Sequence, residues 1–145
     1  MTSSRDNTLM GVAELWAEHS TCSRLSVGAV ISRDGRSLSS GYNGAPKGMP
    51  HCVHNNTVVI NGVVLGESGC TTAVHAELNA IAFAARYGMS TDGADLHCTH
   101  QPCLNCAMAI INAGIIRVVY LHPYRDPAGT NLLLAAGVTA LKAVR

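Results

Sequence analysis

The chain carries little charge and almost no aromatic surface. Asp, Glu, Lys and Arg make up 13% of its 145 residues and Phe, Trp and Tyr 4%, with a formal charge of +1. A protein that grips a long nucleic acid needs a basic face to neutralise phosphates, and no basic run occurs here, which argues against a polynucleotide partner. No apolar stretch reaches the length of a bilayer span, and the polar start Met1–Asn7 lacks the apolar core of a signal peptide. Those two absences argue against a membrane role and point to the cytoplasm. Repeats and low-complexity segments are also missing. Hydrophobic residues nevertheless reach 48%, the composition of a packed core and not of a disordered chain. A chain of this length forms one domain that buries roughly two thirds of its unfolded surface. We expect a single domain over 1–145, with 50–72 as a loop and hairpin excursion.

What the chain does have is six cysteines. In a reducing compartment these are better explained by metal than by disulfides. Their placement is specific: His75-Ala76-Glu77 is followed by Pro102-Cys103-Leu104-Asn105-Cys106. One neutral imidazole and two thiolates supply three ligands to a tetrahedral Zn²⁺, leaving a position open to water, which is the pattern of a catalytic site. Glu77 is close enough to move protons without ligating the metal. A lone C-x-x-C would suit a redox pair or half of a structural zinc site, yet neither has any use for His75 or Glu77. The full arrangement H-x-E…P-C-x-x-C matches the signature described for zinc nucleobase deaminases.

The chemistry follows from that donor set. Two helix N-termini are expected to carry the site, and their exposed N–H groups favour Cys103 and Cys106 as thiolates. Pro102 suits a first helical turn, where its missing N–H costs nothing. Zinc lowers the pKa of its bound water to about 7. Glu77 accepts that proton, delivers it to the ring nitrogen beside the attacked carbon, and later protonates the leaving amine.

Periodicity outlines the fold. Thr8 to His19 reads as an amphipathic first helix with Trp16 as a core anchor. Val27–Ser32 and Ser37–Tyr42 read as strands about the turn Arg33-Asp34-Gly35-Arg36, followed by the loop Gly41 to Gly48. Asn61-Gly62 between β-branched runs predicts a hairpin. His75–Tyr87 reads as a buried helix, with Phe83 on it. Further along come a strand at Ala94–Thr99, a helix at Cys103–Ala113 and a strand at Ile116–Leu121. A helix at Thr130–Ala136 and a strand at Val138–Val144 complete the order. Strand alternating with helix implies parallel pairing in this half. The expected fold is α/β: a three-layer α/β/α arrangement with helices on both faces of a mixed five-stranded sheet.

The sequence resembles the bacterial and phage deoxycytidylate (dCMP) deaminases of the cytidine deaminase-like superfamily. The likeness runs from about Ser20 to Val138. It rests on Cys22-Ser23-Arg24 with Val27-Gly28-Ala29, on Gly41-Tyr42-Asn43-Gly44, on His75 to Ile81, on Pro102 to Ala107 and on Ala113-Gly114-Ile115. The resemblance implies hydrolysis of dCMP to dUMP and ammonia, a step that feeds thymidylate synthesis. It implies that Asn43 contacts the deoxyribose and that the backbone at Ala76, with Glu77, reads the pyrimidine edge. By residue type alone, Asn43 equally fits a loop asparagine in a left-handed turn. Arg24 and Lys47 are the cations near these blocks that could take the 5′-phosphate, or they are solvated surface charges. Tyr124 either caps the substrate or sits at the rim of the core. Many members of the family are homo-hexamers switched by dCTP and dTTP. Phe83 and Arg86 match positions near the subunit interface and effector site of phage members.

The resemblance also implies a second, structural zinc on Cys22, Cys52 and Cys70, with His54 or His51 as the fourth ligand and His54 preferred. Buried thiols without metal are the plainer reading of those cysteines. Cys98 reads as a core strand residue, while His97 and His100 take no assigned role. Two alternatives to dCMP remain within the class, a 5-substituted dCMP and deoxycytidine. An alternative of another kind is a zinc-stabilised binding subunit with a dead site, against which Glu77 argues.

Overall fold

The computed structural model describes residues 2–51, 59–61, 63–64 and 73–144. Helix α1 (Ser4–Ala17) starts four residues before the apolar periodicity suggests. Ser3 and Asp6 form a reciprocal capping box that satisfies free N–H groups of the first turn. Strands β1 (Gly28–Arg33) and β2 (Arg36–Tyr42) pair antiparallel. Between them, Asp34 and Gly35 both take positive φ, 53° and 73°, the combination a two-residue hairpin turn requires. The Asn-Gly hairpin is present as β3 (Val59–Ile60) and β4 (Val63–Val64), with Asn61 at φ 50°.

The second half alternates as its sequence pattern implies. Helix α2 (Ala76–Arg86) leads to β5 (Asp95–His100), α3 (Leu104–Asn112), β6 (Arg117–His122), α4 (Ala128–Ala135) and β7 (Thr139–Lys142). The main sheet runs in the order β2-β1-β5-β6-β7. Pairing is antiparallel from β2 to β5 and parallel from β5 to β7. Side chains alternate across it. Ala29, Ile31, Leu96, Cys98 and Val118 pack toward Ala76, Ala80, Cys106, Ile110 and Leu133 of α2, α3 and α4. Val30 and Val119 face Leu9, Met10 and Ala13 of α1. The three layers therefore hold three helices on one face and one on the other, a mixed sheet with helices on both faces.

Small residues set how closely α2 approaches the sheet. A Cβ on Gly41 of β2 would meet the carbonyl oxygen of Ala76 and come within 2.5 Å of the Ala80 nitrogen. Glycine at that position lets the α2 backbone lie directly on the strand. The fully buried residues of α2 are alanines and Glu77, Leu78 and Ile81 are partly buried against the core, and Phe83 is 50% exposed and packs on Tyr87 with ring centres 4.7 Å apart. The expectation of a buried helix is thus corrected for Phe83, which lies on the outer face of α2. Trp16 is corrected likewise. It is 37% exposed and stacks on Tyr42 at 6.1 Å at the end of α1.

Candidate metal centre and active site

His75 precedes α2 and Cys103 precedes α3, each as the extended residue at the helix N-cap, and Cys106 lies in the first turn of α3. Neither cap residue spends its side chain on capping, so both side chains are available to a ligand. The Nδ1 atom of His75 lies 3.5 Å from Cys103 Sγ and 3.3 Å from Cys106 Sγ, and all three donor atoms fall within 4.8 Å of one another. Tetrahedral zinc with bonds of about 2.0 Å to nitrogen and 2.3 Å to sulfur sets N and S roughly 3.5 Å apart, so these donors fit that ion. His75 is exposed, Cys103 partly buried and Cys106 buried, a trio open on one side.

One of the two thiols is held ready for deprotonation. The Cys106 side chain, followed by His75, lowers the pKa of Cys103 to about 4. Cys106 is pushed up because it keeps the proton the pair shares. Cys103 in turn raises His75 above its ordinary value. Glu77 is 4% exposed, and burial raises its carboxyl toward the protonated form. Beneath it lies Cys98, fully buried and pushed well up by the same burial, with its thiol hydrogen-bonded to Glu77. Sequence reasoning placed Cys98 in the core and missed that contact, which depends on β5 running under the first turn of α2.

His75, Glu77 and Cys103 line a cavity of about 720 Å³. Its size falls in the range that suits a nucleotide or drug-sized ligand. Arg24, Asn43, Ala76 and Tyr124 line it, while Lys47, exposed on the loop after β2, does not. Asn43 is buried, and its side chain is committed to the neighbouring chain segment. Its Oδ1 accepts the Val27 N–H at 2.8 Å, and its Nδ2 donates to the Leu25 carbonyl at 2.6 Å. Cys22 is buried on the same cavity wall. Its expected zinc partners Cys52, Cys70 and His54 lie outside the described residues, and His51 is an exposed loop residue beside them. Phe83 and Arg86 sit on the outer surface of α2, away from the cavity lining, with the Arg86 guanidinium 5.7 Å over the Tyr87 ring. Gln101, His100 and Arg125 also line the cavity, and no sequence motif marked them.

A mixed sheet carrying a His/Cys/Cys donor set at two helix N-termini defines a metal-binding domain of the cytidine deaminase-like kind. Residues 3–122 match the family described as the cytidine and deoxycytidylate deaminase zinc-binding region, and the chain belongs to that family. It is 42% identical over 131 residues to ComE operon protein 2 of Bacillus subtilis, covering 90% of this chain and 66% of that protein. It is 33% identical over 168 residues to the deoxycytidylate deaminase of Enterobacteria phage T2, covering 91% and 88%. Among solved structures, the dCMP deaminase of cyanophage S-TIM5 in complex with dCMP and dUMP superposes with a TM-score of 0.83. It is 33% identical and 99% of each chain is covered.

Proposed function

We propose that the protein hydrolyses dCMP to dUMP and ammonia with one catalytic zinc ion on His75, Cys103 and Cys106. The observation that carries this reading is the cluster of those three donors, which opens through His75 and Cys103 onto the same nucleotide-sized cavity as the buried carboxyl of Glu77. When bound, zinc supplies Lewis acidity and lowers the pKa of the attacking water. Glu77 takes the proton from that water as it adds to the amine-bearing carbon. It then passes that proton to the adjacent ring nitrogen, takes the second proton from the added hydroxyl as the carbonyl forms, and delivers it to the leaving amine. Burial suits it to this exchange, because a carboxyl whose pKa is raised by burial is a stronger base than a solvated one. The Ala76 backbone reads the pyrimidine edge and Asn43 faces the sugar. Arg24 and Tyr124 line the outer part of the cavity, where phosphate and capping contacts belong.

The same reading extends to assembly and regulation. A homo-hexamer responsive to dCTP and dTTP would use the exposed Phe83 and Arg86 surface of α2. A second, structural zinc would use Cys22, Cys52, Cys70 and His54, joining the hairpin excursion to the end of α1. A cytoplasmic location accords with this chemistry, and no helix among the described residues is long and apolar enough to cross a membrane.

Ammonia release from the zinc-loaded protein, measured across dCMP, deoxycytidine, CMP and 5-methyl-dCMP, tests the proposal. Turnover of dCMP well above the others is the expected result. Preference for 5-methyl-dCMP or deoxycytidine would keep the chemistry and move the substrate. Silence on all four would sink the deaminase reading.

A further inference from the structure

Gln101 is 9% exposed and lines the cavity directly before Pro102-Cys103, yet half of its amide is unused. Its Oε1 accepts the Tyr124 N–H at 3.1 Å. Only an oxygen can face that donor, so the orientation of the amide is fixed and Nε2 points elsewhere. Neither N–H of Nε2 has a protein partner among the described residues. Among those residues the side-chain atoms cut off from both solvent and partners are His97 Nδ1 and Thr130 Oγ1, so Gln101 Nε2 is reached from the cavity. The neighbouring His100 is set in a similar way. Thr99 Oγ1 accepts the Gly28 N–H at 3.1 Å and lies 2.9 Å from His100 Nδ1, which takes the hydroxyl proton. The imidazole proton therefore sits on Nε2, and burial with the nearby His122 ring lowers the His100 pKa and keeps the ring neutral.

The chemistry proposed for the site decides which part of a ligand meets these donors. Deamination places the amine-bearing carbon, C4, at the metal donors and the ring nitrogen that receives the proton, N3, beside Glu77. With the Ala76 backbone on the same side, α2 takes the N3 edge of the ring. C5 flanks C4 on the opposite side. Asn43 and its neighbours Leu25 and Val27 surround the sugar, so the C5 edge is left to the lining side chains at the end of β5 and just after β6: His100, Gln101 and Tyr124. A pocket built for a bare C–H or a methyl lines such an edge with apolar atoms. Here N–H donors stand beside the Tyr124 ring.

We infer that Gln101 is a specificity-determining residue for position 5 of the pyrimidine. Its free N–H groups favour a nucleotide whose 5-substituent carries a hydrogen-bond acceptor, such as a hydroxymethyl oxygen, over one that carries a methyl. The inference rests on the deaminase reading of the same site, because that reading orients the ring. With unsubstituted dCMP a water molecule satisfies the amide. A hydroxymethyl oxygen replaces that water, whereas a methyl expels it and strands a buried donor. The bond to Tyr124 holds the amide in place beforehand, so the contact carries little ordering cost. His100 Nε2–H adds a second donor to the same edge.

The test compares zinc-loaded wild type, Gln101→Met and Gln101→Ala on dCMP, 5-methyl-dCMP and 5-hydroxymethyl-dCMP. In wild type, kcat/KM on the hydroxymethyl substrate is expected to exceed that on the methyl one by roughly 10-fold or more, the worth of pairing a donor that is otherwise stranded. In Gln101→Met this ratio should collapse toward unity, chiefly through KM. The variants also lose the Tyr124 contact, but that structural effect lowers all three substrates together, so the ratio and not the absolute rate reads the donor. Tm and zinc content verify each protein, and Gln101→Ala supplies the ratio should Gln101→Met not fold. Equal kcat/KM on the two 5-substituted substrates in wild type, or a ratio unmoved by the substitutions, overturns the inference and leaves the deaminase reading in place. Calorimetry with 5-hydroxymethyl-dUMP and 5-methyl-dUMP isolates the other failure. A wild-type preference for the hydroxymethyl ligand that is lost in the variants, in a protein that releases no ammonia from any of the three substrates, upholds the donor and overturns the deaminase reading alone.

Discussion

Asp6 and Arg117 stand 111 residues apart and meet in a bidentate ion pair, with both contacts at 2.8 Å. The same carboxylate accepts His97 Nε2 at 2.8 Å and closes the Ser3 capping box. One buried group therefore starts α1 and ties it to β5 and β6. Nδ1 of His97 has no partner among the described residues, which suits a neutral ring that donates from Nε2.

Removing the acid should leave Arg117 and His97 without their acceptor. Asp6→Ala is expected to cost about 3 kcal/mol, near the lower end for a broken buried pair because Arg117 is 24% exposed. Denaturant unfolding of the two proteins checks this, and a loss below about 0.5 kcal/mol would place the pair with ordinary surface bridges.

The same network sets an acid dependence of stability. Arg117 holds the Asp6 carboxyl well below its ordinary 3.8, and burial holds His97 below its ordinary 6.5. In both cases the unfolded chain binds protons first, so stability is full above the unfolded values and falls as pH drops. The His97 contribution should begin to fade below about pH 6.5 and the Asp6 contribution below about pH 4. Thermal melts between pH 8 and pH 3 should show Tm falling in that order. In His97→Gln the first decline should shrink, and a profile identical to wild type would refute the assignment.

Glu77 should separate metal binding from turnover. Glu77→Gln is expected to retain zinc, because the donor atoms are His75, Cys103 and Cys106. Its kcat should drop by at least about 100-fold, the usual worth of a general acid–base group. Metal analysis beside steady-state kinetics checks both halves. Zinc loss in this variant would make the carboxylate a structural support of the centre.

Asn43 should work on the substrate through the backbone it holds. Asn43→Ala leaves the Val27 N–H and the Leu25 carbonyl without their side-chain partners, at a cost of about 1–3 kcal/mol in stability. Activity is expected to fall mainly through KM, since Leu25 and Arg24 line the cavity. Hydrogen exchange at Val27 amide should speed up in the variant. Unchanged exchange there would return Asn43 to direct sugar contact alone.

Much of the architecture was legible because it is periodic or locally punctuated. The alternation from His75 onward predicts parallel strands, and Asp34-Gly35 and Asn61-Gly62 mark the antiparallel hairpins before it by turn chemistry. The donor set was legible because His75, Cys103 and Cys106 are rare residue types in a fixed spacing. What was not legible depends on contacts between distant segments. His97 has no role until Asp6 is folded against it, and Gln101 is an ordinary polar residue until it holds the Tyr124 backbone at the cavity. The outward turn of Phe83 and the exposure of Trp16 also escaped, since hydrophobic type alone does not say which face of a helix meets the sheet.

The spacing of 28 positions from His75 to Cys103 carries a consequence of another kind. An ion held by both ends closes that stretch of chain into a ring, much as a disulfide would. Restricting a loop of that size in the unfolded chain is worth on the order of 3–4 kcal/mol by polymer entropy alone. The ring encloses all of α2 and β5, the helix and strand that meet beneath Glu77. The ion that serves the reaction would thus also act as a crosslink, and stripping it should loosen first the two elements the ring contains.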